Sequence, residues 1–410
     1  VAKTAPWDSH LLKNKQGAYL PCLNNAVAIL THRSEWHNVI AYDAFAGVVI
    51  KKKRPPWCED TAPEDDSLGD WSKEDSLRTV VWITREYNCP VQTYIVDEAV
   101  QVVAARWQTH PVRDWLNAQK WDRKSRLDSL FIRLGGAPDT IYTKAVTKNF
   151  FLGAVARIMR PGEQVDSVLV LEGKQGAGKS SFFRIVASEP WFLETSINIG
   201  SKDGYQALRR KWIVEFAELS ALRRSDFWLI NQFITAVKDT YRPSYGRSPI
   251  DFPRQVVYGG SVNPDGAGYL NDPTGARRFW PIPVKKIDLK ALRAERTQLW
   301  AEAVYRYRKC EKWHLQDAKL LRAAAEEAEE RRQMDPWETH VQEFLGRVKN
   351  KKLYAKDGVR IEDLLDDAVQ MPRDRQEHSH RIRMGRVLHV IGWGRVVRGS
   401  DGARRYLPDE

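Results

Sequence analysis

Cysteine is scarce in this sequence. Only Cys22, Cys58, Cys89 and Cys310 occur in 410 residues, far apart and without a CxxC pair. That spacing excludes a disulfide framework and a zinc ribbon, and a reducing, cytoplasmic setting is expected. The histidines add no metal site, because His378-Ser379-His380 falls short of the ligands a closed site needs and is expected on a solvated loop. Also missing is any apolar run of about 18 residues, so no membrane span is encoded. There is no internal repeat and no basic-then-apolar leader, and the chain opens on valine, so an upstream segment is expected. An acidic excess is lacking as well: 65 Lys+Arg against 53 Asp+Glu leave a net charge of +12. Such a surface favours polyanions, with nucleic acid as the leading partner.

The length suggests two or three domains at about 150 residues each. Residues 1–66 mix tryptophan, turn residues and charge, including Lys51-Lys52-Lys53-Arg54, and read as small mixed structure. Residues 67–160 read as a mostly helical domain, with helices over 76–87, 94–107, from Pro111 and over 141–159. From 161 to 284 short β-branched runs at 168–171, 212–214 and 255–258 alternate with helical segments, as expected of an α/β core around a buried parallel sheet. Residues 285–334 read as a helical connector whose part over 317–333 is a solvated bridging helix. In 335–410 three short helices precede two short strands, the order of a winged helix. The 16 tryptophans have no regular spacing and read as core residues.

The strongest motif is Gly173-Lys174-Gln175-Gly176-Ala177-Gly178-Lys179-Ser180, a full GxxxxGK[ST] match between an apolar run and a helical segment. Glycines let such a loop turn its N–H groups onto a polyphosphate, and the helix N-terminus adds a favourable dipole. Residues 173–181, with Ser181 at the end, are the expected ATP site. Lys179 is expected on the β- and γ-phosphates, and Ser180 on Mg²⁺. Trp212-Ile213-Val214-Glu215-Phe216-Ala217-Glu218 supplies two carboxylates at a strand end. Glu215 is assigned to Mg²⁺ and Glu218 to the attacking water, with exchange of the two roles left open. Asn263, ending a third strand, suits a sensor of water or γ-phosphate. Arg277 and Arg278 follow on a turn, and at least one is a candidate arginine finger acting across a subunit boundary.

Two basic segments suit nucleic acid. Lys238, Arg242, Tyr245 and Arg247 interleave cations with aromatics, a combination suited to single strands, although Arg242 and Tyr245 equally suit stapling a turn. In the C-terminal unit Arg383 and Arg386 share a helix face with His389, and Arg398, Arg404 and Arg405 lie on the expected wing. A merely solvated basic face explains them nearly as well.

The phosphate loop, WIVEFAEL, KDTYRPSYGR, GGSVN and LNDPTGARRFWPIPV, in that order, resemble the virulence-associated protein E family, which is similar to superfamily 3 helicases of the AAA+ class. The likeness extends to His110-Pro111-Val112-Arg113-Asp114-Trp115-Leu116, Trp121-Asp122, Arg126-Leu127 and Leu299-Trp300-Ala301-Glu302-Ala303. It implies a P-loop NTPase core of AAA+ type with a helical N-terminal region and a C-terminal winged helix. It also implies an ATP-hydrolysing, Mg²⁺-dependent DNA helicase and translocase, a homo-oligomer forming a hexameric ring with single-stranded DNA in its channel, that serves replication of a phage, satellite or pathogenicity island. An upstream primase-like module or host replication proteins are the further partners it suggests. The 238–247 interval matches the pore hairpin of that class. The acids three residues apart depart from the adjacent acids common in superfamily 3. The alternative is an ATP-gated initiator that recruits a host helicase without unwinding; a small-molecule P-loop kinase would leave the arginine pair and the basic balance unexplained.

Overall fold

The computed structural model describes residues 7–58, 68–195, 201–217, 219, 224–242, 249–264, 268–270, 276–347, 354, 357–399 and 402–409. The chain begins with α1 (Leu23–His32), β1 (Ile40–Asp43), β2 (Val48–Lys51), β3 (Gly69–Asp70), α2 (Lys73–Tyr87), α3 (Thr93–Arg106) and β4 (Gln108–Thr109). These strands form a sheet in the order β3-β2-β1-β4, with β1 antiparallel to β2 and parallel to β4. Ser72 caps α2 in a reciprocal box with Asp75, and Asp75 also receives the buried Lys51 ammonium at 2.7 Å. One core runs from Leu11 through Ile29, Trp36 and Trp82 to Ala104. It crosses the expected boundary at 66/67, because α3 packs on the sheet made by 40–51 and α2 packs on α3 within the same core. Periodicity identifies a helix's buried face but not its partner.

The second unit contains α4 (Pro111–Ala118), α5 (Leu130–Gly135), α6 (Ile141–Met159), β5 (Val168–Glu172), α7 (Lys179–Ala187), β6 (Phe192–Thr195), α8 (Lys202–Ala207), β7 (Ile213–Phe216), α9 (Arg224–Thr235), β8 (Lys238–Tyr241), β9 (Ile250–Pro253), β10 (Val257–Val262), β11 (Phe279–Pro283), α10 (Leu289–Arg308) and α11 (Ala318–Glu330). Five strands pair in the order β11-β5-β10-β7-β6, every neighbour parallel. This is a mixed α/β fold around a parallel sheet.

Strands buried on both faces need apolar residues at successive positions. In β5, Leu169 and Leu171 face a core shared with α4–α7 and α10, while Val168 and Val170 face one containing Ile234, Tyr258 and Phe279. The expected boundary at 160/161 therefore lies inside one core, since Phe150, Phe151 and Ile158 of α6 pack with Leu169 and Leu171. The expected connector over 285–334 differs too. Leu292, Leu299 and Trp300 of α10 join that core, and Ala324 and Ala328 of α11 are buried, so α11 is docked and not a free bridge.

Outside the sheet, β8 and β9 form an antiparallel hairpin anchored by buried Arg254, which grips Asp239 at 2.6 Å and donates to the Phe233 carbonyl. The C-terminal unit comprises α12 (Pro336–Gly346), α13 (Ile361–Asp367), α14 (His378–Val390), β12 (Arg395–Arg398) and β13 (Arg404–Leu407). Its core is Val341, Leu364, Leu365, Met384 and Leu388, and the two strands pair as an antiparallel hairpin. His378 and His380, expected on a loop, open α14 instead; the His380 ring accepts the Glu377 N–H in a capping box. Among the described residues no helix is long and apolar enough to cross a membrane.

Candidate functional site

The loop of residues 173–178 joins the C-terminal end of β5 to the first turn of α7. It is held against the segment after β11: Val284 N donates to Glu172 O at 2.7 Å, and Ile287 N donates to Ala177 O at 2.9 Å. Gly173 is required by that approach, since a Cβ there would sit 2.5 Å from the Val284 carbonyl oxygen. Lys174, Gln175 and Gly176 stand exposed at the crest, Ala177 is buried, and Gly178, Ser180 and Ser181 are half-buried.

Lys179 is buried and folds back over the loop. Its ammonium donates to Gly173 O at 2.7 Å, to Lys174 O at 3.0 Å and to Asn263 Oδ1 at 2.8 Å. All three hydrogens are used, but every acceptor is neutral. Burial lowers the pKa of this ammonium, and the charge of Glu215 acts against that. A phosphate oxygen offers stronger, charge-assisted bonds than these acceptors.

Beside it, Ser180 Oγ donates to Glu215 Oε1 at 2.7 Å. Glu215 is fully buried in β7, and its Oε2 has no hydrogen-bond partner. Burial raises this carboxyl's pKa; the Ser180 and Ser261 hydroxyls pull it down, although Ser261 makes no bond of normal geometry to Oε2. A buried carboxylate oxygen without a donor is costly unless a ligand completes it. An octahedral cation holding a serine hydroxyl, a carboxylate and phosphate oxygens fits this donor set, so the residues present suit Mg²⁺ with a nucleotide.

The parallel register explains the meeting. Glu172 is level with Val262, and Gly259 with Glu215, so the loop, Asn263 and Glu215 gather at the C-terminal ends of three adjacent strands. The arginine pair lies elsewhere. Arg277 and Arg278 precede β11, whose Phe279 is level with Val168, so they sit at the opposite end of the sheet. Arg277 is exposed, and Arg278 Nε lies 3.5 Å from Asp166 without a formed hydrogen bond.

Expected nucleic-acid residues are distributed unevenly. Lys238 pairs with Asp251 across the hairpin at 2.6 Å, and Arg242 is exposed. Arg386, Arg398 and Arg404 are exposed, with Arg398 directly opposite Arg404. Arg405 is half-buried and donates to the Asp357 carbonyl at 3.3 Å. Arg383 corrects the expectation of a free basic face: it forks onto Asp335 at 2.6 and 2.8 Å and stacks 3.9 Å over Trp337. Glu218, Tyr245 and Arg247 lie outside the described residues.

Sequence reading overlooked several contributors. Ser261 faces Glu215, Asp166 faces Arg278, and Glu172 binds Arg331 and Tyr269; none belongs to a motif with its partner. Two elements quoted for the family likeness are structural. Buried Glu302 accepts from Arg126 N at 2.7 Å and Leu127 N at 3.1 Å, tying α10 to the segment before α5. His110 caps α4 by accepting Arg113 N–H at Nδ1, so its Nε2 carries the proton shared with Gln255 at 2.6 Å.

The fold and site thus define an α/β protein with a glycine-rich loop at the carboxyl edge of a parallel sheet. The virulence-associated protein E-like domain matches residues 116–334, more than half of the chain, and the chain belongs to that family. No curated protein matches the sequence. Among solved structures, the apo A form of the NrS-1 C-terminal region is 14% identical, with 72% of this chain and 78% of that one covered and a TM-score of 0.39. The apo A form of NrS-1 C-terminal residues 305–718 is 11% identical, with 90% and 96% covered and a TM-score of 0.46.

Proposed function

We propose that this protein is a P-loop ATPase of the AAA+ class, superfamily 3-like, that assembles into a ring and moves on DNA during replication of a mobile element. The observation that carries the reading is the convergence of Lys179, Asn263, Ser180 and Glu215 on the glycine loop. On this reading the loop N–H groups hold the triphosphate, and the Lys179 ammonium leaves the Gly173 and Lys174 carbonyls for its β- and γ-oxygens. Ser180 and Glu215 would hold Mg²⁺, which supplies neutralisation of charge on those oxygens. Asn263, released by Lys179, is free to orient the attacking water, and Glu218 is the proposed acceptor of its proton. The arginine pair serves the site of an adjacent subunit.

The 238–247 interval is the proposed single-strand contact through Lys238, Arg242, Tyr245 and Arg247. The three helices and terminal hairpin of 335–409 are read as a winged helix whose Arg386, Arg398, Arg404 and Arg405 meet phosphates. The test measures ATP turnover with and without single-stranded DNA, and strand displacement on a fork. Stimulated turnover with displacement supports a motor; turnover without displacement supports an initiator instead; no nucleotide binding overturns both.

A further inference from the structure

Glu172 is the last residue of the strand that feeds the phosphate loop, and its side chain is only 8% exposed. Its Oε1 accepts from Arg331 Nε at 2.7 Å and from the Tyr269 hydroxyl at 2.8 Å. Those partners come from two different places. Tyr269 lies between Asn263 and the arginine pair, and Arg331 ends α11 where the chain departs for the C-terminal unit. The backbones are joined as well: Tyr269 N and Leu270 N both donate to Arg331 O at 2.9 Å, and Gln333 N donates to Leu270 O at 3.0 Å. A Cβ on Gly268 would overlap the Arg332 carbonyl, so glycine is needed for this approach.

The ionic contacts continue outward. Arg332 donates to Glu338 at 2.7 Å, and the same Glu338 oxygen accepts Asp335 N–H at the start of α12. Asp335 in turn holds Arg383 of α14. Burial alone would lower the pKa of Arg331; its hydrogen bond to Glu172 and the charges of Glu172 and Glu327 outweigh that and raise it.

We propose that the Glu172–Arg331 ion pair is a positioning element coupling the phosphate loop to the C-terminal unit, so that bound nucleotide changes that unit's grip on DNA. This rests on reading the loop as a nucleotide site and the C-terminal unit as a DNA-binding one. The mechanical step is local. Lys179 bonds the Gly173 carbonyl, one residue from Glu172, and a triphosphate that draws the ammonium away removes that bond. The strand end then resettles with Arg331 attached. By linkage, DNA changes nucleotide affinity by the same factor.

The experiment uses the full chain and a fluorescent DNA duplex, with and without a non-hydrolysable ATP analogue and Mg²⁺. Nucleotide affinity is measured alone, and thermal melts check folding. The expected wild-type coupling is about fivefold or more in duplex Kd. Arg331→Met and Glu172→Gln should each bring the factor within about twofold of unity while the analogue alone still binds normally, and Arg331→Lys should restore part of it. Should Arg331→Met fail to fold, the isosteric Glu172→Gln carries the test. Full coupling in both variants overturns the proposal, as does wild-type binding of both ligands without coupling, or duplex binding that survives Arg398→Ala with Arg404→Ala. If wild type binds no nucleotide, the underlying site reading has failed as well.

Discussion

Mixing two dead variants tests whether each site is shared between subunits. Arg278 precedes Phe279, which is level with Val168, whereas the loop starts after Glu172. At about 3.3 Å per residue the six steps from the level of position 167 to Gly173 place the arginine about 20 Å along the sheet from its own glycine-rich loop, beyond one side chain's reach. Lys179→Ala removes the loop cation and leaves the arginines intact; Arg278→Ala does the reverse and should still bind nucleotide. Each alone should lose about 10³-fold or more in turnover. In the proposed rings, formed here from an equal mixture, junctions would be head-to-tail, so about one in four would join an intact loop to an intact arginine. The mixture should therefore recover about a quarter of wild-type turnover per subunit, read by steady-state phosphate release above the assembly concentration. Arg277→Ala with the same partner identifies which arginine acts. A mixture no more active than its parents, although co-assembled by mass measurement, refutes the shared site.

Asp239→Ala should cost about 3–5 kcal/mol in urea unfolding, because it strands the buried Arg254 guanidinium, and should abolish DNA stimulation by loosening the β8–β9 hairpin. Arg242→Ala should weaken single-strand binding more than Lys238→Ala, since Lys238 is already paired with Asp251; a lost phosphate contact lowers the salt slope by about 0.7. For His110, burial depresses the pKa, and the Gln255 hydrogen bond only partly opposes this. The unfolded chain therefore binds more protons as pH drops below about 6.5, so this stability is complete above that pH and lost on acidification. His110→Asn should remove a slope of up to about 1.4 kcal/mol per pH unit from urea midpoints measured between pH 7.5 and 5.

Local chemistry was legible in the sequence, and partnership at a distance was not. Thr140 caps α6 and Pro161 follows its end, so those bounds could be read directly, as could the loop, whose spacing is itself the structure. Arg383 and Arg386 do share a helix face, but Asp335, 48 residues away, claims the first, and no local pattern carries that fact. Glu172 and Arg331, 159 residues apart, meet only because α11 returns to the sheet. The charged composition of 317–333 suggested solvent, whereas its buried alanines and Arg331 bind it to the core. The sheet turns these distant meetings into a rule. Residues at the same end of neighbouring parallel strands converge, as Lys179, Asn263 and Glu215 do; residues at opposite ends of one strand pair cannot. Strand order and register therefore leave Arg277 and Arg278 no route to their own loop, and a role for them in turnover requires a second copy of the chain.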